Sequence, residues 1–233
     1  AGYISGVTSA ISDPASFKPA VSQEDQATYT LETGTNRLST IAGATTTTSF
    51  THDQNGNITA KGSTTFEYFQ DNRLSTVKED GTVIAEYEYN CFGQRTMKTV
   101  DGASTLFHYD LNGNLICESG TDGTIQKEYI YLGNLPLVMI IHGTDGVATY
   151  FYHTDHLGTP VALTDDSGQV VWKANYCPFG TINISTAVVE NNLRFPGQYF
   201  DAETGLHYNW HRYYDPETGR YLTPDPIGLE GGI

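Results

Sequence analysis

The stretch that decides the fold is residues 66–115, FEYFQDNRLSTVKEDGTVIAEYEYNCFGQRTMKTVDGASTLFHYDLNGNL. It holds three aromatic-x-aromatic pairs, which begin at Phe66, Tyr87 and Phe107, and a turn rich in Asn, Asp and Gly follows each pair. Side chains two positions apart lie on the same face of a β-strand. Each pair therefore predicts one strand with a buried aromatic face.

The pairs return at a nearly fixed interval along the chain. Their second residues are Tyr68, Tyr89, Tyr109, Tyr131 and Tyr152, which gives intervals of 21, 20, 22 and 21 residues. Asn-Gly and Asp-Gly steps at 55–56, 80–81, 101–102, 112–113, 122–123 and 145–146 supply the positive φ angles of tight hairpin turns. One hairpin cannot bury its aromatic face alone, so the pattern predicts an all-β fold in which antiparallel hairpins stack into one sheet.

The composition excludes several classes of function. The 233 residues carry a formal net charge of -15, whereas a nucleic-acid or anionic-membrane partner would need a Lys/Arg surface. No apolar stretch approaches the roughly 20 residues of a membrane-spanning helix. Cys91, Cys117 and Cys177 show no CxxC or Cys/His pattern, so we expect buried thiols and neither disulfides nor a zinc site. The chain starts without an initiator Met or a visible secretion signal, which favours a fragment whose N-terminus lies upstream.

The hairpin units resemble the YD repeats of the bacterial RHS family over roughly residues 29–232. The match is strongest toward the C-terminus, in YHTDHLGTP (152–160), RFPGQY (194–199), RYYDPETGRY (212–221) and DPIGLEGG (225–232). The matched motif residues there are His153, Asp155, His156, Gly158, Arg212 and Gly228.

The resemblance implies a fold and a function. The fold is a curved, spiralling sheet of hairpins, part of a hollow β-cocoon, with a C-terminal core-associated plug. The implied organisation is a loop or partial repeat at 1–28, a hairpin array at 29–149 and the core or plug segment at 150–233. As a shell segment without catalysis of its own, the chain would help to enclose and shield a C-terminal toxin domain.

Partners and localisation follow from the same resemblance. The partners would be the remainder of the shell, the toxin domain and a secretion-system or chaperone protein, without nucleic acid, membrane span or cofactor. The protein would be secreted or displayed at the cell surface.

Asp225 and Asp215 are the candidate catalytic residues, because the family's self-cleavage is attributed to aspartates in DPxGL motifs. Two carboxylates that share a site can hold one proton between them. The alternative is structural: residues 201–205 (DAETG) and 215–219 (DPETG) are duplicated turns whose aspartates accept hydrogen bonds from backbone amides. We favour this alternative for Asp215.

Two other hypotheses remain open from the residues. His153, Asp155 and His156, or His207 and His211 at i, i+4 spacing, could bind a metal, although structural histidines are the favoured interpretation. An extracellular adhesion module that binds carbohydrate or protein through exposed tyrosines is the alternative to the shell function.

Overall fold

The computed structural model describes residues 27–144 and 146–228. Within them every regular element is a β-strand, and none is a helix that could cross a lipid bilayer. The prediction for residues 1–28 lies outside the described residues up to position 26, and the first strand begins at Thr28.

Sixteen strands pair with their sequence neighbours in antiparallel order. They are β1 (Thr28–Leu31), β2 (Leu38–Ala42), β3 (Thr47–His52), β4 (Ile58–Lys61), β5 (Thr64–Tyr68), β6 (Leu74–Glu79), β7 (Thr82–Tyr89), β8 (Arg95–Val100), β9 (Ala103–Tyr109), β10 (Leu115–Gly120), β11 (Ile125–Leu132), β12 (Leu135–Gly143), β13 (Gly146–Thr154), β14 (Pro160–Thr164), β15 (Val170–Tyr176) and β16 (Ile182–Ala187). A second sheet contains β17 (Tyr199–Asp201), β18 (Leu206–Asn209), β19 (Arg212–Asp215) and β20 (Arg220–Tyr221).

The chain divides into two compact units, residues 1–49 and 50–233. In the described part of the first unit, β2 pairs with β1 on one side and with the beginning of β3 on the other. In the second unit, the rest of β3 starts an open ladder that runs strand by strand to β16, which we call the repeat sheet. The predicted boundary between residues 149 and 150 falls inside β13, and the three-part division stays a prediction.

Two kinds of turn join the strands of the repeat sheet. Asp80–Gly81 and Asp101–Gly102 are two-residue turns in which both residues have positive φ, between 49° and 79°. Wider loops such as residues 110–114 close by a hydrogen bond from the Asp110 amide to the Asn114 carbonyl, 3.0 Å. Positive φ angles of this kind match the twist of the flanking strands. The turn prediction from Asp-Gly is confirmed at these positions.

Aromatic rings recur on one face of the repeat sheet. Phe66, Tyr87, Phe107 and Tyr129 lie on alternate strands and are each at most 4% exposed. The four-stranded sheet β17–β20, which we call the C-terminal sheet, packs against this face: Tyr213 lies 5.0 Å from Tyr87 between ring centroids. The all-β fold class, a long open antiparallel array with a separate C-terminal segment, is therefore confirmed.

The prediction of buried thiols is wrong for two of the three cysteines. Cys91 and Cys177 are exposed, and Cys117 is half-buried. Cys91 and Cys177 lie in wide loops at the ends of their strands, where they are exposed to solvent. Apolar character alone does not bury a residue that lies in a loop at the end of a strand.

Candidate functional site

The interface between the repeat sheet and the C-terminal sheet is centred on Arg95, the first residue of β8. The equivalent first position of β2, β4, β6 and β10 is occupied by Leu38, Ile58, Leu74 and Leu115. Arg95 is nevertheless completely buried. A buried guanidinium requires a counter-charge, because desolvation of an isolated ion is costly.

Asp201, at the end of β17, supplies that counter-charge. One of its oxygens lies 2.5 Å from Arg95 Nη1, and neither side chain has any exposed surface. Its other oxygen accepts a hydrogen bond from Lys98 Nζ at 3.0 Å. Burial opposes the charged form of Arg95, but the Asp201 carboxylate, together with Tyr213, Tyr109 and Tyr87, outweighs it and raises the pKa of the guanidinium. The contact between Arg95 and Asp201 therefore joins the two sheets.

Five aromatic rings surround the Arg95 guanidinium. The ring centroids lie between 4.4 and 6.0 Å from its Cζ atom and belong to Tyr87, Phe107, Tyr199, Tyr208 and Tyr213. Cation–π contacts of this kind offset part of the cost of burying the charge. The Tyr208 hydroxyl also accepts a hydrogen bond from the Arg95 amide at 2.8 Å. The rings thus serve both as hydrophobic core and as partners of a single cation.

The second ring of two repeat pairs, Tyr68 and Tyr89, has the same structural role. The hydroxyl of Tyr89 donates a hydrogen bond to the carbonyl of Leu74, 2.7 Å, and that of Tyr68 donates to the carbonyl of Ile58, 2.5 Å. Both acceptors are the first residue of an earlier strand. Burial raises the pKa of both phenols. These two tyrosines stay protonated and add a side-chain link between β5 and β4 and between β7 and β6.

The remaining motif residues of the repeats also have structural roles, with other partners: the Tyr152 hydroxyl donates to Asn191 Oδ1 at 3.0 Å. Tyr109, Tyr131 and Tyr152 are largely shielded, and burial raises the pKa of each. Asp155 Oδ1 accepts the amides of Leu157 and Thr159, both at 2.9 Å. Burial acts to raise the pKa of Asp155, but these hydrogen bonds prevail and lower it. Such an aspartate closes the wide loop, whose glycine at position 158 has a φ of +91°.

The two candidate aspartates have separate partners. Asp225 forms an ion pair with Arg212, 2.8 Å, and Asp215 forms one with Lys61, also 2.8 Å. Asp215 is buried at 2% exposure, whereas Asp225 borders a cleft of about 320 Å³ that is also lined by His211. No hydrogen bond joins the two carboxylates among the described residues. Gly228, with a φ of +56°, donates its amide to the Asp225 carbonyl at 2.8 Å.

The histidines do not converge on a common point. His207 lies in β18 with its Nδ1 2.8 Å from Gln198 Oε1, and burial, followed by the charge of Arg194, lowers its pKa to about 4. His211 follows β18 at the tip of the hairpin, so helical i, i+4 spacing does not apply to the two. His153 Nε2 lies 3.0 Å from Thr164 Oγ1 on the exposed face, and His156 is exposed in its turn.

Sequence reasoning missed the residues that hold this interface, namely Lys61, Arg95, Lys98 and Asp201. The available signal was Arg95 itself, a charged residue at a strand position where the other copies have leucine or isoleucine. The fold and the interface together define a class of protein: a β-hairpin repeat array that carries a C-terminal sheet docked on its own aromatic face.

Comparison with known proteins agrees with that class. The family model described as RHS protein matches residues 149–184. The chain is 34% identical over 184 residues to the tRNA3(Ser)-specific nuclease WapA of Bacillus spizizenii, covering 76% of this chain and 8% of the relative. It is 32% identical over 222 residues to the double-stranded DNA deaminase toxin A of Burkholderia cenocepacia, covering 78% and 15%. It is 48% identical over 82 residues to the toxin protein Tse5 of Pseudomonas aeruginosa, covering 35% and 6%.

Solved structures show the same fold. The Photorhabdus luminescens Tc holotoxin pore aligns at a TM-score of 0.63 and 19% identity, covering 87% of this chain and 12% of that chain. The TcdB2-TccC3-TEV structure aligns at a TM-score of 0.58 and 19% identity, with the same coverage. The chain belongs to the RHS family and corresponds to its toxin-related shell region. It spans between 6% and 15% of the length of the three curated relatives named above.

Proposed function

We propose that this chain forms part of a shell that encloses and shields a toxin domain carried by the same polypeptide. The observation that carries the proposal is the buried Arg95–Asp201 pair, which fixes the C-terminal sheet on the aromatic face of the repeat sheet. A segment anchored in this way covers the part of the aromatic face that surrounds Arg95. The names of the relatives, a nuclease and a deaminase toxin among them, support a toxin as the enclosed domain.

In this proposal the chain itself performs no catalysis. Its partners are the rest of its shell, the toxin domain and a secretion-system or chaperone protein. The assembled protein acts outside the cell that makes it, either secreted or displayed on the surface.

Limited proteolysis of the full-length protein tests the proposal. We expect the toxin domain to resist protease in the intact protein, and to be digested when Asp201→Asn removes the charge that anchors the C-terminal sheet. Lys78→Met is the matched control, because Lys78 pairs with Glu67 inside the repeat sheet. A toxin domain digested equally fast in the intact protein and when expressed alone would refute enclosure.

Self-cleavage at Asp225 is a second candidate function. It is favoured by one observation: the Asp225 carboxylate opens on a cleft and is held there by Arg212. Asp215, buried against Lys61, has a structural partner instead. Mass spectrometry of the full-length protein should show that Asp225→Asn abolishes release of a C-terminal fragment, and that Asp225→Glu retains some of it. Unchanged release in Asp225→Asn would eliminate this residue.

The adhesion hypothesis has less support. It requires tyrosine rings that face solvent at regular spacing. Tyr87 and Tyr129, for instance, are only 2% and 3% exposed. We therefore do not propose a sugar-binding ladder on these rings.

A further inference from the structure

The C-terminal sheet contains the same five-residue turn twice, at residues 201–205 and 215–219. In each, the final glycine has a positive φ, 71° at Gly205 and 68° at Gly219. In each, the amide of that glycine donates to the carbonyl of the first aspartate, at 2.8 and 2.9 Å. The two turns therefore present their Asp and Glu side chains in the same way.

The first turn binds one lysine of the repeat sheet. Lys98 Nζ lies 3.0 Å from an oxygen of Asp201 and 3.0 Å from an oxygen of Glu203. Its side chain is 12% exposed, so the ammonium is largely withdrawn from water. Burial, followed by the charge of Asp201, raises the pKa of Glu203, and the charge of Lys98 acts in the opposite direction.

The second turn binds another lysine with the same geometry. Lys61 Nζ lies 2.8 Å from an oxygen of Asp215 and 2.8 Å from an oxygen of Glu217. Asp215 is almost fully buried while Glu217 is 73% exposed. Each turn thus has one buried carboxylate and one more exposed carboxylate around a single ammonium. We call each turn with its two carboxylates a lysine socket.

The two lysines also occupy equivalent positions in the repeat sheet. Lys61 is the third residue after Ile58, the first of β4, and Lys98 is the third after Arg95, the first of β8. Strands β4 and β8 are four steps apart in the sheet, or about 19 Å at the usual inter-strand spacing. The two sockets must match that separation to bind both lysines at once.

Equivalent positions on the other even-numbered strands of the repeat sheet, which run in the same direction as β4 and β8, do not offer an ammonium. The third residue after the strand start is Val77 in β6, Glu118 in β10 and Leu163 in β14. Glu118 is buried and accepts a hydrogen bond from the Tyr129 hydroxyl at 2.6 Å. Moving a socket onto β10 would place its two carboxylates beside Glu118, a third carboxylate, in the place of a lysine. Lys127, which lies opposite Glu118 on β11, is already paired with Glu190 at 3.2 Å. Docking one repeat further along is therefore opposed by like charge.

We propose that the two lysine sockets select where the C-terminal sheet docks on the repeat sheet, with the two lysines as the specificity-determining residues. The partner chemistry that the sockets recognise is a pair of primary ammonium groups on one sheet face, four strands apart. Arg95 adds affinity beside the first socket, and the sockets fix the register. This proposal does not depend on the enclosure of a toxin.

Hydrogen–deuterium exchange of the chain can test each socket separately, because two amides report on docking. The Ile58 amide donates to the Leu222 carbonyl at 2.8 Å, near the second socket. The Arg95 amide donates to the Tyr208 hydroxyl, near the first. We expect Lys61→Met to speed exchange at Ile58, and Lys98→Met to speed exchange at Arg95, by about tenfold each, as for loss of a charged hydrogen bond. Lys61→Arg and Lys98→Arg should restore most of the protection.

Matched variants guard against an unspecific loss of folding. Glu217→Gln removes one exposed carboxylate of the second socket and should speed exchange at Ile58 by about twofold, without affecting Arg95. Lys78→Met and Glu67→Gln, in a pair that does not touch the C-terminal sheet, should leave both amides unchanged. Equal exchange in the socket variants and in these controls would overturn the proposal.

Discussion

Replacing Arg95 by methionine is the most direct test of the interface. The change keeps a long side chain but removes the guanidinium. Asp201, which has no exposed surface, then keeps Lys98, 3.0 Å away, as its cationic partner. Removing one partner of a buried ion pair costs about 3–5 kcal/mol of unfolding free energy. Because Lys98 still neutralises part of the charge, we expect about 3 kcal/mol. In a chain of this size that corresponds to a fall in Tm of roughly 6–12 °C.

A double-mutant cycle separates the ion pair from the packing around it. We expect Asp201→Asn alone to cost about 3 kcal/mol, and the Arg95→Met/Asp201→Asn double variant to cost less than the sum by about 1.5 kcal/mol or more. Urea denaturation followed by far-ultraviolet circular dichroism gives these values as shifts in the midpoint at constant m-value.

Lys78→Met is the control for this cycle, because Lys78 pairs with a half-exposed Glu67 and should change stability by less than about 1 kcal/mol. Additive costs for Arg95→Met and Asp201→Asn would refute the coupling. A cost for Arg95→Met no larger than that of the control would show that the buried pair does not hold the sheets together.

Two further predictions concern the C-terminal sheet. A Cβ at Gly113 would lie 2.0 Å from Trp210 Cζ3, whereas a Cβ at Gly102 meets open space, and both glycines have positive φ. In urea denaturation Gly102→Ala should therefore lower the free energy of unfolding only by the cost of a side chain at positive φ, about 1–2 kcal/mol. Gly113→Ala should cost at least about 2 kcal/mol more, because its Cβ would clash with Trp210. Because the folded pKa of His207 is about 4, below its ordinary 6.5, its contribution to stability is present above pH 6.5 and is lost as the pH falls toward 4. Relative to His207→Asn, the parent chain should lose about 3 kcal/mol over this interval, and parallel pH curves for the two would contradict the prediction.

The hairpin array could be predicted from the sequence because its determinants are local. An Asp-Gly step such as 80–81 fixes positive φ angles in the turn itself, and rings two apart such as Tyr87 and Tyr89 share a face by the geometry of a single strand. Nothing distant is needed to infer either feature. The packing of the rings on one face followed from the same period.

The interface could not be predicted, because it joins residues more than 100 positions apart. Arg95 stands out as a charge at a strand start where other strands have leucine or isoleucine, but nothing in the sequence connects it with Asp201. The duplicated acidic turns were visible in the sequence, but their lysine partners were not, since Lys61 and Lys98 have no local signature. The exposure of Cys91 and Cys177 was missed for a related reason, because the burial of a loop residue depends on what packs against that loop in the fold.

The paired sockets also restrict how this gene can evolve. Tandem arrays commonly change length by duplication or deletion of whole units through recombination. One unit gained between positions 61 and 98 would add two strands, about 10 Å, to the separation of the lysines, and the C-terminal sheet could then reach only one of them. Homologous genes should therefore differ in unit number upstream of this interval and keep its length constant.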